Sequence, residues 1–261
     1  MRYLKLYGHF VATSFMGEMM YRRGFWLSVL ARVAWFLFFV AFYSLLYGQI
    51  TQIATWGYWD TMLLLATFFL LETILYLLFI KNFSNLPHMI ADGDLDLWLI
   101  KPVDAQFVLS LRHTSFTSFL NLLPPLFLLV LAFIKLGLSF SWASLGMILA
   151  AFVIALIIAY SIWLMIMTLA FWLGRVDVLH EAFLSLFRFL QFPTVIYSGA
   201  VLLFLTYVLP IIFIVTIPLA SLRGSLTWPN FLLGLSLAVL LFIVSRLFWL
   251  FAIRYYSSAS S

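Results

Sequence analysis

Cysteine is absent and charge is scarce in this 261-residue chain, where Asp, Glu, Lys and Arg together make up 9% against roughly 25% in an ordinary soluble domain. Without cysteine there is no disulfide framework, thiolate nucleophile, Cys-ligated zinc site or iron–sulfur cluster. The shortage of charge excludes a water-soluble globule, because 66% of the residues are hydrophobic and 20% aromatic, far more than one core can hide. Mean hydropathy is +1.15, and the chain is expected to be an all-α integral membrane protein. Its net charge of +5 then points to cationic loops facing an anionic leaflet, not to nucleic acid. No cleavable signal peptide is expected, since the first apolar run begins only at Phe25 and is too long for one.

A spanning helix needs about 20 apolar residues to cross roughly 30 Å of hydrocarbon. Six segments meet that need: Phe25 to Tyr47, Tyr58 to Ile80, Ser115 to Ile134, Leu145 to Leu173, one between Val178 and Pro218, and Phe231 to Ile253. The fifth is interrupted by Pro193, Pro210 and Pro218, as expected of one crossing followed by a broken, re-entrant hairpin. In the third, Pro124 and Pro125 predict a kink. Residues 1–24 repeat apolar side chains at helical spacing and predict an amphipathic interfacial helix serving as a membrane anchor. The domain reading is that helix, a single membrane domain over 25–253 with a polar loop at 81–113, and a tail at 254–261.

Lys/Arg counting sets the orientation. One side carries Arg2, Lys5, Arg22, Arg23, Lys81, Lys101, Arg112, Arg175 and Arg254, and the other only Lys135 and Arg223. Both termini are therefore expected in the cytoplasm, with Trp56, Trp142 and Trp228 at the outer interface. Arg32, Arg188 and Arg246 fall within or at the edges of apolar segments and are left out of that count.

The polar loop concentrates what chemistry there is. It holds Lys81, Asp92, Asp94, Asp96, Lys101, Asp104 and Arg112. Asp92-Gly93 reads as a turn, Leu95, Trp98 and Leu99 as an apolar face, and Pro102 as opening a helix with Asp104 near its positive end. A calcium loop starting at Asp92 would need Gly at its sixth position and Glu at its twelfth, where Leu97 and Val103 stand. A solvated acidic face, a docking surface and the paired acids of a transferase stay open for Asp92, Asp94 and Asp96. His88, His113 and His180 lack metal-site spacing, and nothing assembles a nucleophile, base and orienting group. Within the spans, Arg32 lies about 10 Å in from Phe25 and Glu72 about 12 Å in from Ile80. Equal depth predicts an ion pair between the first two spans, with a proton or substrate site at Glu72 as the alternative.

The run Gly93-Asp94-Leu95-Asp96, then Lys101-Pro102-Val103-Asp104 with Phe107, Ser110 and Arg112, resembles bacterial ABC-2 type permeases, as do Gln191-Phe192-Pro193, Val208-Leu209-Pro210 and Ile217-Pro218-Leu219. That resemblance implies the transmembrane subunit of an exporter in the bacterial plasma membrane. Two six-span permeases, identical or homologous, would sit over two ATPase subunits, with spans two and five lining the pathway. It also implies that Asp92, Gly93, Asp94, Asp96, Lys101, Pro102 and Asp104 couple the permease to its ATPase. No glycine precedes a lysine, so the chain has no P-loop, and ATP and magnesium belong to the partner. Other classes compatible with the composition are a membrane-embedded enzyme of lipid or polyprenyl chemistry and a secondary transporter, the latter disfavoured by the lack of an inverted repeat.

Overall fold

The computed structural model describes residues 2–139, 141–174 and 177–256; the cation Arg175 and the tail from residue 257 onward lie outside them. The described residues are helical nearly throughout. Helix α1 (Arg2–Met20) lies ahead of α2 (Arg22–Tyr47), and the chain turns through an isolated bridge between Ile53 and Trp56 into α3 (Tyr58–Leu75). Short helices α4 (Lys81–Ser84), α5 (Leu86–Ala91), α6 (Asp96–Leu99) and α7 (Ala105–Leu111) form the polar loop. The third span comes in two pieces, α8 (Phe116–Leu120) and α9 (Leu123–Lys135). It is followed by α10 (Trp142–Thr168) and α11 (Ala170–Leu173). Helices α12 (Asp177–Arg188), α13 (Gly199–Leu203) and α14 (Ile212–Leu222) precede the closing α15 (Trp228–Tyr255).

Five helical stretches are long and apolar enough to cross a membrane, and a bent pair makes a sixth candidate. That pair is Gly199–Val208 with Ile212–Leu222, which meet at 87°. The bend falls where Pro210 denies the ladder an N–H and holds Leu209 extended. The expected broken fifth region is therefore present, preceded by α12 and by 3₁₀ turns at Phe189–Gln191 and Thr194–Ile196 on either side of Pro193. The double proline differs from expectation. Pro124 and Pro125 lie in the first turn of α9, where a missing N–H costs nothing, and the break falls just before them at Asn121 and Leu122.

Helix α3 is the central post. Its most apolar stretch is 61% buried, against 22% for α2 and 17% for α15, so the outer helices offer most of the surface for lipid or a second subunit. The core it belongs to includes its own Phe68 and the fully buried Phe83, Trp163, Phe183 and Trp249. Hydroxyls inside are satisfied locally: Thr67, Ser161 and Thr168 donate to the carbonyls of Leu63, Ile157 and Leu164 at 2.7, 2.7 and 2.6 Å, which removes the cost of burying them. Tyr43 of α2 reaches across to donate to the carbonyl of Gln191 at 3.0 Å. Gly234 lets α15 close on α14, since a Cβ there would stand 2.4 Å from Ile217 Cδ1.

Candidate functional site

The polar loop starts where α3 widens into a π-helical stretch over Tyr76–Ile80. A wide turn of this kind leaves carbonyls open to outside partners. The chain returning from the loop supplies one, Ser115 N–H donating to Leu77 O at 3.0 Å. Asn82 supplies the rest of the seam: its Nδ2 donates to Leu78 O and His113 O, both at 2.8 Å, and its Oδ1 accepts from His113 N at 2.8 Å. Entry and exit of the loop are thus joined. Burial, with Arg112 and Lys81 nearby, holds the His113 imidazole below the ordinary histidine range.

Between those ends the chain makes a compact elbow. Gly93 has φ +77°, the left-handed turn that a glycine tolerates. The turn brings Leu95, 1% exposed, inward, with its N–H bonded to Met89 O at 3.1 Å. Trp98 lies between two cations, Lys101 Nζ at 3.9 Å and the Arg112 guanidinium at 4.8 Å from its ring centre. Asp92 and Asp94 are exposed at the tip and Asp96 is half-buried, as are Trp98 and Leu99, while Lys101 and Pro102 project outward. The expected apolar face is therefore a plug, Leu95, beside a cation-clamped ring. Pro102 does not open the next helix; α7 starts at Ala105, and Asp104 is its N-cap, accepting from Phe107 N at 3.0 Å.

Asp104 is also the root of a network. Arg246 of α15 forks onto both its carboxylate oxygens and donates to Gln106 Oε1 at 2.7 Å. Gln106 Nε2 donates to Tyr160 Oη of α10 at 2.9 Å, and Ser110 Oγ lies 2.8 Å from the same hydroxyl. Burial raises the Asp104 carboxyl pKa, but the Arg246 and Phe107 hydrogen bonds outweigh it and hold the group below the usual carboxylate range.

Helix α1 is more than an anchor, because it caps the start of the third span. The N–H groups that open a helix have no partner within it. Here Thr117 N donates to Glu18 Oε2 at 3.0 Å, and just ahead of the helix Thr114 N donates to Ser14 Oγ at 3.1 Å. Asp104 N meets Tyr3 Oη at 3.3 Å, and edge-to-face ring contacts Tyr3–Phe107 and Phe15–Phe116 lie at 4.9 and 5.0 Å. Ion pairs tie distant parts of the chain together. Among the described residues the direct pairs are Arg246–Asp104 and Arg223–Asp60. Arg32 lays its guanidinium 3.5 Å over the Tyr76 ring, and it shares a cleft with Glu72, its expected partner, and with Arg188.

The model of a family described as ABC-2 family transporter protein matches residues 31–260. The chain belongs to the ABC-2 family. It is a multi-pass membrane protein, the permease component of an ABC transporter, and such a permease works with an ABC ATPase subunit. No curated protein and no solved structure matches the chain. Of the elbow residues carried by the family resemblance, Asp92, Gly93 and Asp94 make a tip and Asp104 a root tied to α1, α10 and α15, with Asp96, Lys101 and Pro102 on the stretch between them. Arg246 and Tyr160, which complete the root, carry no local sequence signal, since their partners are 142 and 54 residues away.

Proposed function

We propose that this permease is the membrane half of an ATP-driven exporter that moves a hydrophobic or amphipathic molecule across a bacterial plasma membrane. Two permeases, identical or homologous, sit over two ATPase subunits that hold the ATP and magnesium, and the termini and the elbow face the cytoplasm. The elbow, from Asp92 to Asp104, is the part on which the ATPase acts. The observation that carries this reading is the elbow's division into an exposed acidic tip and a root bonded to three other helices. A push on the tip then reaches α15 through Arg246, α10 through Tyr160 and α1 through Tyr3, so the membrane helices move with the elbow.

The test is co-purification with the cognate ATPase, followed by ATPase measurement with and without the permease in lipid. Wild-type permease should bind the ATPase and change its turnover. The combined change Asp92→Ala, Asp94→Ala, Lys101→Ala should weaken binding or abolish that change while unfolding at the same temperature as Lys101→Ala alone, because Asp92 and Asp94 are exposed whereas Lys101 stacks over the Trp98 ring. Full binding and full stimulation by the triple variant would reject the elbow as the coupling surface, and failure of the wild type to bind any ATPase would reject the exporter reading.

A further inference from the structure

The cleft that holds Arg32 and Glu72 has an unbalanced charge. It occupies about 600 Å³ between α2, the end of α3 and α8, within the range of about 300–1,000 Å³ usual for ligand sites. Arg32, Lys81 and Arg188 line it against a single carboxylate, Glu72, and none of the three cations belongs to a direct ion pair among the described residues. Cations at membrane depth are costly unless something neutralises them. Arg32 is stacked over Tyr76 and also hydrogen-bonds to it, but its planar fork carries five N–H donors, more than that one hydroxyl can accept. At its inner end the cleft narrows to a recess of about 20 Å³, which Arg32 and Glu72 share with Asn121. Asn121 is 5% exposed, and neither of its amide atoms has a hydrogen-bond partner, an arrangement that buried amides avoid unless a polar group reaches them. Toward the elbow the cleft runs on, through shared Ser28, Lys81 and Thr117, into a cavity of about 800 Å³ beneath α1. The walls carry Trp35 and Ile80 among the polar groups.

We infer that this cleft binds an anionic phosphate headgroup of an amphipathic molecule, with Arg32 and Arg188 contacting the phosphate and Lys81 at the mouth. Glu72 limits the positive charge so that the ligand is held weakly enough to leave. The inference deepens the exporter reading by naming the headgroup chemistry of its substrate and rests on that reading for the step after binding; binding itself needs no ATPase.

The experiment uses the full chain in neutral detergent, with no ATPase present, and two lipids with brominated acyl chains, phosphatidic acid and phosphatidylcholine. Bromine quenches nearby tryptophan, and the difference between wild type and Trp35→Phe isolates the signal from the cleft. Phosphatidic acid should quench Trp35 at a concentration about tenfold lower than phosphatidylcholine. Arg32→Gln and Arg188→Gln should each weaken phosphatidic acid by about fivefold, Arg32→Lys should weaken it less, and Glu72→Gln should tighten it. Unaltered thermal unfolding of Arg32→Lys and Arg188→Gln guards against a folding artefact. Inorganic phosphate is the third titrant. If it displaces the lipid at low millimolar concentration, phosphate recognition is supported; if it binds while brominated lipid does not, the ligand is free phosphate instead of a lipid head. Equal quenching by the two lipids, or arginine variants that bind phosphatidic acid as wild type does, overturns the proposal. Because the assay omits the ATPase, this failure is distinct from a failure of the exporter reading.

Discussion

Two aspartates sit at helix starts at opposite ends of the permease, and each is held by an arginine from the last third of the chain. At one end Asp60 in the first turn of α3 accepts from Gly57 N at 3.1 Å and pairs with Arg223 at 2.8 Å. At the other, Asp104 caps α7 and pairs with Arg246. The side chains are similarly open to solvent, 29% and 27% exposed in the first pair and 34% each in the second, so the bare charge attraction contributes about 1 kcal/mol or less in either. Their neighbours separate them. Arg223 lies over the Trp56 ring at 4.3 Å, clasping the end of α14 to the start of α3. Arg246 continues through Gln106 to Tyr160 and Ser110. Similar chemistry thus makes a clasp at one end and a junction at the other, and what sets the role is the number of elements that meet at the arginine.

The largest effect should come from the junction. Arg246→Ala leaves Asp104 and Gln106 without their donor and should cost about 2 kcal/mol after allowance for solvent exposure, read as a lower unfolding temperature in micelles together with lost ATPase stimulation. Arg246→Lys should recover only part of this, since an ammonium cannot fork onto two acceptors. Unchanged stability in Arg246→Ala would leave the two ends of the molecule alike. Next, Glu18→Ala uncaps the third span and should cost about 1 kcal/mol, with α1 becoming more accessible to a protease added from the elbow side. Acid should then loosen the junction. Because the Asp104 carboxyl is held below the ordinary range near 4, its contribution is complete above that ordinary value and is lost as pH falls through the folded one. Asp104→Asn should therefore flatten the acid limb of a stability-against-pH curve. The smallest change belongs to the clasp: Asp60→Asn should cost about 0.5 kcal/mol and leave ATPase stimulation intact. If Asp60→Asn uncoupled the ATPase as strongly as Arg246→Ala, the distinction between clasp and junction would collapse.

Long features were legible in the sequence and distant pairings were not. The apolar runs announced the unbroken spans because about 20 residues of hydrocarbon-compatible chain admit few other structures. Pro193 and Pro210 announced the broken fifth region for an equally local reason, a missing N–H. Asp104 could be placed at a helix start from Pro102 alone, although the helix opens three residues later than the proline suggested. Arg246 looked like a cation at a span edge because its carboxylate is 142 residues away. Arg223 reads only as an outer-side cation, because its partner Asp60 is 163 residues away. Depth along the membrane normal places Arg32 beside Glu72, and both line one cleft, but depth says nothing of Arg188, which joins them from α12. Helix α1 read as an anchor because an amphipathic pattern shows which face is greasy, not that Ser14 and Glu18 meet N–H groups at the start of the third span about a hundred residues later.

The seam at Asn82, His113, Leu77 and Ser115 has a mechanical meaning. A loop attached at two separated points can stretch between them and dissipate a load as slack. Here both strands of the elbow are fastened side by side to the same turn of α3, so the elbow has one hinge line instead of two tethers. If the elbow is pushed as proposed, a force at Asp94 would arrive as torque on the π-helical stretch over Tyr76–Ile80 that continues α3, and through it on the central post.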